Sequence, residues 1–297
     1  MPALLHLLTI TIGWNPNIAK FGGLQLTWHG VFTAVGIAAG VYLGVWLARR
    51  EGFTEDDGYS IALVGVPAGI IGARAMFVLE NRAAFEGRWL DVFRINEGGI
   101  TLYGAVIGGV AAAAIYGWFR KMPVMRGLDV AGFGLLLGMA IGRIGDLING
   151  EHVAKVTHLP WGVVYTNPES PSWQKYVAQG LPPTHPATTY EMIGDLLIIG
   201  IMAVIFVKLW RTRPGVTFFT GVVLYSAMRF GVSYLRIDSL NVVKDWMTFP
   251  QVTAMGVWAI GMVGLAYTLL RKPEPDKITP ARPATQTPTS PRTTVEA

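Results

Sequence analysis

The chain has 297 residues, of which 52% are hydrophobic and only 14% charged, where a soluble domain of this length carries about a quarter charged residues. That balance excludes an ordinary soluble globule and points to an all-α membrane protein with several spans. No cysteine is present, which excludes a disulfide framework, a thiolate metal site and a cysteine nucleophile of the chain's own; no other metal-ligand spacing and no cofactor motif is found. The net charge of +5 is modest, and the basic residues sit at or inside apolar runs, which suits anionic membrane lipid as a partner rather than nucleic acid.

Taken in order, the first residues, "MPALLHLLTITIGWNPNI", lack the basic start and cleavage site of a signal peptide and read as a short helix lying at the membrane interface. Seven apolar runs follow, each long enough to cross a bilayer at about 20 residues per crossing. They lie near 29–48, 60–79, 100–119, 128–148, 190–210, 217–235 and 250–270. Glycine is frequent inside them, as in "YGAVIGGVAAAAIYG", and small residues let helices approach closely in lipid. No internal repeat of the kind found in transporters is visible. Residues 1–272 form one seven-span domain. The tail 273–297, rich in proline and threonine, has no apolar period and is expected to be disordered.

Basic residues set the orientation. Arg49, Arg50, Arg120, Lys121, Arg126, Lys208, Arg211, Arg213, Arg271 and Lys272 all fall on one side of the seven runs. Taking that side as cytoplasmic places the N-terminus outside and the C-terminus inside. Arg82, Arg88 and Arg94 on the other side weaken the contrast. The longest loop, roughly 150 to 186, is then extracytoplasmic. Its tryptophan, tyrosine and proline content suggests an ordered segment held against the membrane surface.

Three arginines fall within the runs: Arg74, Arg143 and Arg229. Each costs about 2.5–3.5 kcal/mol at mid-membrane on insertion scales. For Arg74 the candidate partners are Glu80 and Asp129. A buried guanidinium presents five donors suited to phosphate or carboxylate, so a cavity lined by such groups would attract a phospholipid head group. Arg143, Asp146 and Asn149 are three apart and share a helix face. Tyr225, Arg229, Ser233 and Arg236 form a second polar stripe, whose nearest acid in sequence is Asp238, beyond the run.

These features are ordered blocks of a known pattern. "GRIGDLINGE" at 142–151 resembles the signature of the prolipoprotein diacylglyceryl transferase family, usually Gly-Arg-x-Gly-Asn-x-x-Asn-x-Glu. "TWHG" at 27–30, "GIIGARAMFVL" at 69–79, "GGITLYGAVIGG" at 98–109, "HPATTYE" at 185–191 and "YSAMRFGVSYLR" at 225–236 resemble further blocks of that family. The likeness runs from about residue 15 to 271. It implies a multi-pass enzyme of the bacterial cytoplasmic (inner) membrane. Such an enzyme moves the diacylglyceryl group of phosphatidylglycerol onto the lipobox cysteine thiol of a prolipoprotein and releases glycerol phosphate. The missing cysteine is compatible, because the thiol belongs to the substrate.

By that resemblance Arg143 and Arg229 hold the phosphate, Asn149 and Glu151 orient the head group or Arg143, and Tyr225, Tyr190 and Arg236 line the lipid site. Tyr190 and Glu191 could equally pack the loop. Four positions depart from the family pattern. Tyr103 stands where the family has a histidine proposed as general base, Asp146 replaces an asparagine, His29 a tyrosine, and Ser233 a glutamate. A phenol is a poor base at neutral pH, so catalysis would pass to His29 or Asp146. Asp146 could also pair with Arg143 and blunt its pull on phosphate. Two other readings stay open: transfer of a different phospholipid head group, and a non-catalytic protein that binds lipid or lipoprotein.

Overall fold

The computed structural model describes residues 9–22, 24–94, 99–209, 212–239, 241–243 and 246–274. Seven helices among them are long and apolar enough to cross a membrane: α1 (Trp28–Arg50), α2 (Glu55–Glu80), α3 (Leu102–Phe119), α4 (Val124–Asn149), α5 (Ala187–Leu209), α6 (Val216–Ser233) and α7 (Phe249–Leu270). They match the seven apolar runs. Their ends follow local chemistry. The Thr27 side chain accepts from the Gly30 amide and starts α1. Thr54 and Asp57 form a reciprocal capping box on α2, as do Thr248 and Gln251 on α7; each satisfies amides that the first helical turn leaves orphaned. Gly150 ends α4 with φ 67°, a left-handed conformation that glycine adopts without steric cost.

Helix pairs pack antiparallel through small residues. A Cβ on Gly36 would lie 2.5 Å from the carbonyl oxygen of Gly138, so α1 and α4 touch backbone to backbone. Gly145 extends this contact to the helix ends: a Cβ there would meet the Cα of His29 at 2.7 Å. The absence of a side chain at Gly145 therefore brings His29 onto the last turns of α4. Phe133, Leu136, Ile198, Met202 and Tyr225 make the apolar centre between α4, α5 and α6, while Leu63, Ile71, Leu197 and Val263 stand exposed on the outer faces, as lipid-facing positions do.

Two buried charges have structural duties. Asp129, fully buried in α4, accepts from the amides of Gly215 at 2.6 Å and Phe218 at 2.8 Å, capping α6 from a neighbouring helix. Arg74 does not depend on Glu80 or Asp129, as its sequence position suggested. Its guanidinium donates to the carbonyls of Val92, Gly99 and Asp91 at 2.7, 2.9 and 2.6 Å and ties down the segment that follows α2. Backbone carbonyls are good acceptors for a guanidinium, and no spacing rule reveals them.

The start of the chain also corrects an expectation. Residues 1–8 lie outside the described residues, but Ile10–Ile12 is strand β1 and Asn17–Phe21 is strand β2, hairpinned to β3 (Leu24–Thr27); they are not an interfacial helix. The β-branched "ITI" favours extended backbone, and β1 gains a parallel partner in β4 (Val163–Tyr165), its paired residues 153 positions apart in sequence and invisible to local pattern. The 150–186 segment is folded over the helix ends. Tyr165 Oη donates to the carbonyl of Leu147 at 2.9 Å, Tyr176 Oη to that of Ala154 at 2.7 Å, and Val156 and Val163 both bridge to Thr184. Two short strands, β5 (Asn241–Val243) and β6 (Met247–Thr248), lead into α7. The expected disordered tail falls outside the described residues from 275 onward.

Gly145→Val should separate α1 from α4 and cost about 1–3 kcal/mol of stability, seen as a lower thermal midpoint in detergent. Gly142→Val, at a position with nothing within 4 Å of an added Cβ, should leave the midpoint unchanged.

Candidate active site

At the helix ends beneath the 150–186 segment, three guanidiniums from two helices and the following turn converge on one carboxylate. Glu191, 1% exposed in the first turns of α5, receives Arg143 of α4 through Nη2–Oε2 at 2.5 Å. It also receives Arg229 of α6 through Nη1–Oε1, and Arg236, just past α6, lies at 3.5 Å from Oε1. Such a group is tolerable in a low-dielectric interior only because both signs are present. It is not saturated: the Nε of Arg143 and the Nε of Arg229 are buried with no hydrogen-bond partner, and the Nη1 of Arg236 has only its 3.5 Å ion pair with Glu191. An N–H left unsatisfied in the interior costs about 1–3 kcal/mol. These donors point to an anion with several oxygens as the missing partner.

Asp146 joins this group to a second one. Its Oδ2 accepts from Arg143 Nη1 at 2.8 Å and lies 3.2 Å from His152 Nε2. Its Oδ1 is 2.5 Å from His29 Nδ1. The pairing of Asp146 with Arg143 follows the three-residue spacing seen in the sequence. His29 is about one-third exposed while Asp146 is buried, so a partly open imidazole is held by a sequestered carboxylate. With Nδ1–H donating to Asp146, Nε2 is left as the acceptor, the usual arrangement for a positioned base. Glu151 Oε2 lies 3.6 Å from His29 Nδ1, and its Oε1 accepts from Asn149 Nδ2 at 2.6 Å.

His152 and Asp238 brace the cluster from the loop side. Arg236 Nη2 donates to Asp238 Oδ2 at 2.7 Å and lies 2.8 Å from His152 Nδ1, which is 3.3 Å from Asp238. Burial opposes ionisation of Asp238, but the hydrogen bonds from His152 and Arg236 and the charge of Arg236 hold its carboxyl well below the usual carboxylate range. Arg236 thus carries a full negative charge beside it, close in sequence as expected.

The expected residues are therefore distributed unevenly. Arg143, Arg229, Arg236, Asp146 and His29 share one connected network. Asn149 contacts Glu151, not Arg143. Tyr225 and Tyr103 lie one ring apart, centroids 6.5 Å; the Tyr103 hydroxyl is buried and makes no hydrogen bond, and that of Tyr225 is buried beside Arg143. Tyr190 accepts from Trp161 Nε1 at 2.8 Å and packs the loop. Ser233 Oγ donates to the Arg229 carbonyl at 2.7 Å, a helix-end bond that leaves the glutamate of the family pattern unreplaced. From sequence, Glu191 could equally serve to pack the loop, and His152 and Asp195 had no assigned role. A carboxylate in the first turns of a strongly apolar helix was the available signal for Glu191.

His29, Asp146 and Glu151 each offer one ligand atom within 4.8 Å of the others, a spacing that could bracket a divalent ion. Arg143 already sits on the same Asp146 carboxylate, and its positive charge opposes a second cation there. Glu191→Leu leaves three buried guanidiniums without their shared acid; it should cost about 3–5 kcal/mol, measured by chemical or thermal unfolding in detergent.

Comparison with known proteins identifies the family. Residues 16–267 match the family model described as prolipoprotein diacylglyceryl transferase. Proteins named phosphatidylglycerol–prolipoprotein diacylglyceryl transferase are similar along most of their length. The one from Clostridioides difficile (strain 630) is 31% identical over 86% of this chain and 95% of its own. That of Symbiobacterium thermophilum is 33% identical over 88% and 95%, and that of Acaryochloris marina 31% over 88% and 94%. With its seven helices and its arginines gathered at one end, the chain belongs to the prolipoprotein diacylglyceryl transferase family.

Proposed function

We propose that the protein transfers the diacylglyceryl group of phosphatidylglycerol to the thiol of a prolipoprotein lipobox cysteine and releases glycerol phosphate. The observation that carries this reading is the convergence of Arg143, Arg229 and Arg236 on Glu191 with buried N–H groups to spare. A phosphate diester enters such a site as a monoanion. Its leaving oxygen gains charge as the carbon–oxygen bond breaks, and fixed guanidiniums then stabilise the transition state more than the ground state. Glu191 keeps the three guanidiniums aimed, so little reorganisation is needed during reaction.

The acceptor chemistry needs a thiolate, since a free thiol near pKa 8.5 is mostly protonated. His29 Nε2 takes the thiol proton, and Asp146 fixes the ring and stabilises the imidazolium that forms. The sulfur then attacks the glyceryl carbon bonded to the phosphate oxygen. The carbon–sulfur bond forms, the carbon–oxygen bond breaks with its electron pair going to oxygen, and glycerol phosphate departs. The proton on His29 is returned to solvent. Asp146, a departure from the family pattern, is in this reading the partner that makes the second departure, His29, useful.

The basic residues Arg49, Arg50, Arg120, Lys121, Lys208 and Arg271 lie at the helix ends opposite the site. This supports a site facing the outer side of a bacterial cytoplasmic membrane, with the C-terminus inside. Phosphatidylglycerol would then reach the arginines from the surrounding lipid, and the prolipoprotein would present its lipobox beneath the folded 150–186 segment.

Purified protein with phosphatidylglycerol and a lipobox peptide should release glycerol phosphate and yield a thioether-linked lipopeptide; absence of both products refutes the proposal. Arg143→Ala and Arg229→Ala should each lower turnover by at least about 10²-fold while the protein remains folded, and near-normal turnover removes the phosphate role from that residue. His29→Ala and Asp146→Asn should each cost about 10²–10⁴-fold, read as kcat/KM against pH. If Asp146→Asn instead speeds transfer, Asp146 only competes with phosphate for Arg143.

A further inference from the structure

One helical turn below the guanidiniums lies a second polar group that the transfer chemistry does not use. Asp195 follows Glu191 by four residues on the same buried face of α5, and Tyr225 precedes Arg229 by four on α6. At 1.5 Å per residue both sit about 6 Å deeper. Asp195 is 0% exposed, and both of its carboxylate oxygens are without a hydrogen-bond partner. The hydroxyls of Tyr103 and Ser226 are likewise buried and unpartnered, and that of Tyr225 is buried with Arg143 beside it. These groups belong together: Asp195, Tyr103 and Arg143 are the groups whose charges act on Tyr225, and Arg143 also acts on Asp195.

A carboxylate with no donor, inside a span and out of reach of water, is among the costliest arrangements a membrane protein can hold. Intramembrane acids face a cavity, a partner or a substrate. Here no hydrogen bond from the protein reaches either oxygen of Asp195, which leaves both open to the hydroxyls of a ligand. Carboxylate oxygens accept only, and two of them side by side match two hydroxyl groups on neighbouring carbons. Tyrosine hydroxyls complete such a set, because each can both donate and accept. An ammonium head group would also be drawn to a carboxylate, but Arg143 faces the same space and repels a cation while leaving a neutral polyol untouched.

We infer that Asp195, Tyr225 and Tyr103 form a polyol subsite that takes the hydroxyls of the phospholipid's glycerol head group while the arginines hold its phosphate. The inference rests on the proposed function for the identity of the lipid and adds how the head group is chosen. The separation of the two tiers is comparable with the span of a three-carbon head group attached to phosphate. Asp195 is thus a specificity residue, and Arg143, reaching both tiers, links phosphate recognition to head-group recognition.

The test is equilibrium binding, which does not need turnover. Detergent-purified protein is titrated with short-chain phosphatidylglycerol, with the phosphatidylpropanol of the same chains, which keeps the phosphate but lacks both hydroxyls, and with phosphatidylethanolamine. The wild type should bind phosphatidylglycerol at least ~10-fold more tightly than phosphatidylpropanol. Asp195→Asn and Asp195→Leu should lose that preference, falling to within about threefold, with affinity for phosphatidylpropanol kept or improved. Tyr225→Phe should lose part of it. Retention of the wild-type preference in both Asp195 variants overturns the subsite, as does a wild type that does not distinguish the two lipids. Retained phosphatidylpropanol binding shows that a variant is folded. If wild-type discrimination holds but no glycerol phosphate is released with a lipobox peptide, the transfer proposal fails and the subsite stands.

Discussion

One carboxylate shared among three guanidiniums is the interaction on which the rest depends. In water, Arg143, Arg229 and Arg236 would repel each other weakly. In the interior of a helix bundle, where charge interactions are several times stronger, they can meet only around an anion. Glu191 is that anion in the resting protein. It binds α4, α5 and the end of α6 into one assembly and keeps three cations aimed at one point. Breaking such a group costs far more than replacing it whole, so the site and the helix packing are energetically one thing.

The backbone contacts make this possible. Gly36 and Gly138 let α1 lie directly on α4, and Gly145 carries the contact up to His29. The imidazole then reaches Asp146 at 2.5 Å, and Asp146 reaches Arg143. A proton-accepting ring and a phosphate-holding cation thus share one carboxylate, so motion of either is felt by the other. His152 and Asp238 extend the same network to the loop side, which ties the folded cover to the charged centre.

Much of this was legible in the sequence. Hydropathy located all seven spans, because each backbone in lipid must close its own hydrogen bonds and only long apolar helices do so. Arg143 and Asp146 were paired by spacing, since residues three apart share a helix face. What spacing cannot supply is the partner contributed by another helix. Arg229 looked short of an acid because Glu191 is 38 positions earlier; Arg74 looked in need of one although carbonyls serve it. His152 follows the signature by one residue and carried no periodic signal. The β-pairing of Ile10–Ile12 with Val163–Tyr165 depends on a contact across half the chain, so Ile10–Ile12, read as part of a helix, is strand.

The central claim is that the buried guanidiniums grip a lipid phosphate. Solid-state NMR of the protein in phosphatidylglycerol bilayers, with arginine guanidinium nitrogens labelled and the phospholipid phosphorus observed, measures that contact directly. Charge-assisted N–H···O bonds put nitrogen and phosphorus about 4 Å apart, and those close contacts should vanish for Arg143 and Arg229 when each is replaced by lysine. Phosphorus contacts that survive both replacements and trace only to Arg49, Arg120 or Arg271, at the opposite helix ends, would contradict the account.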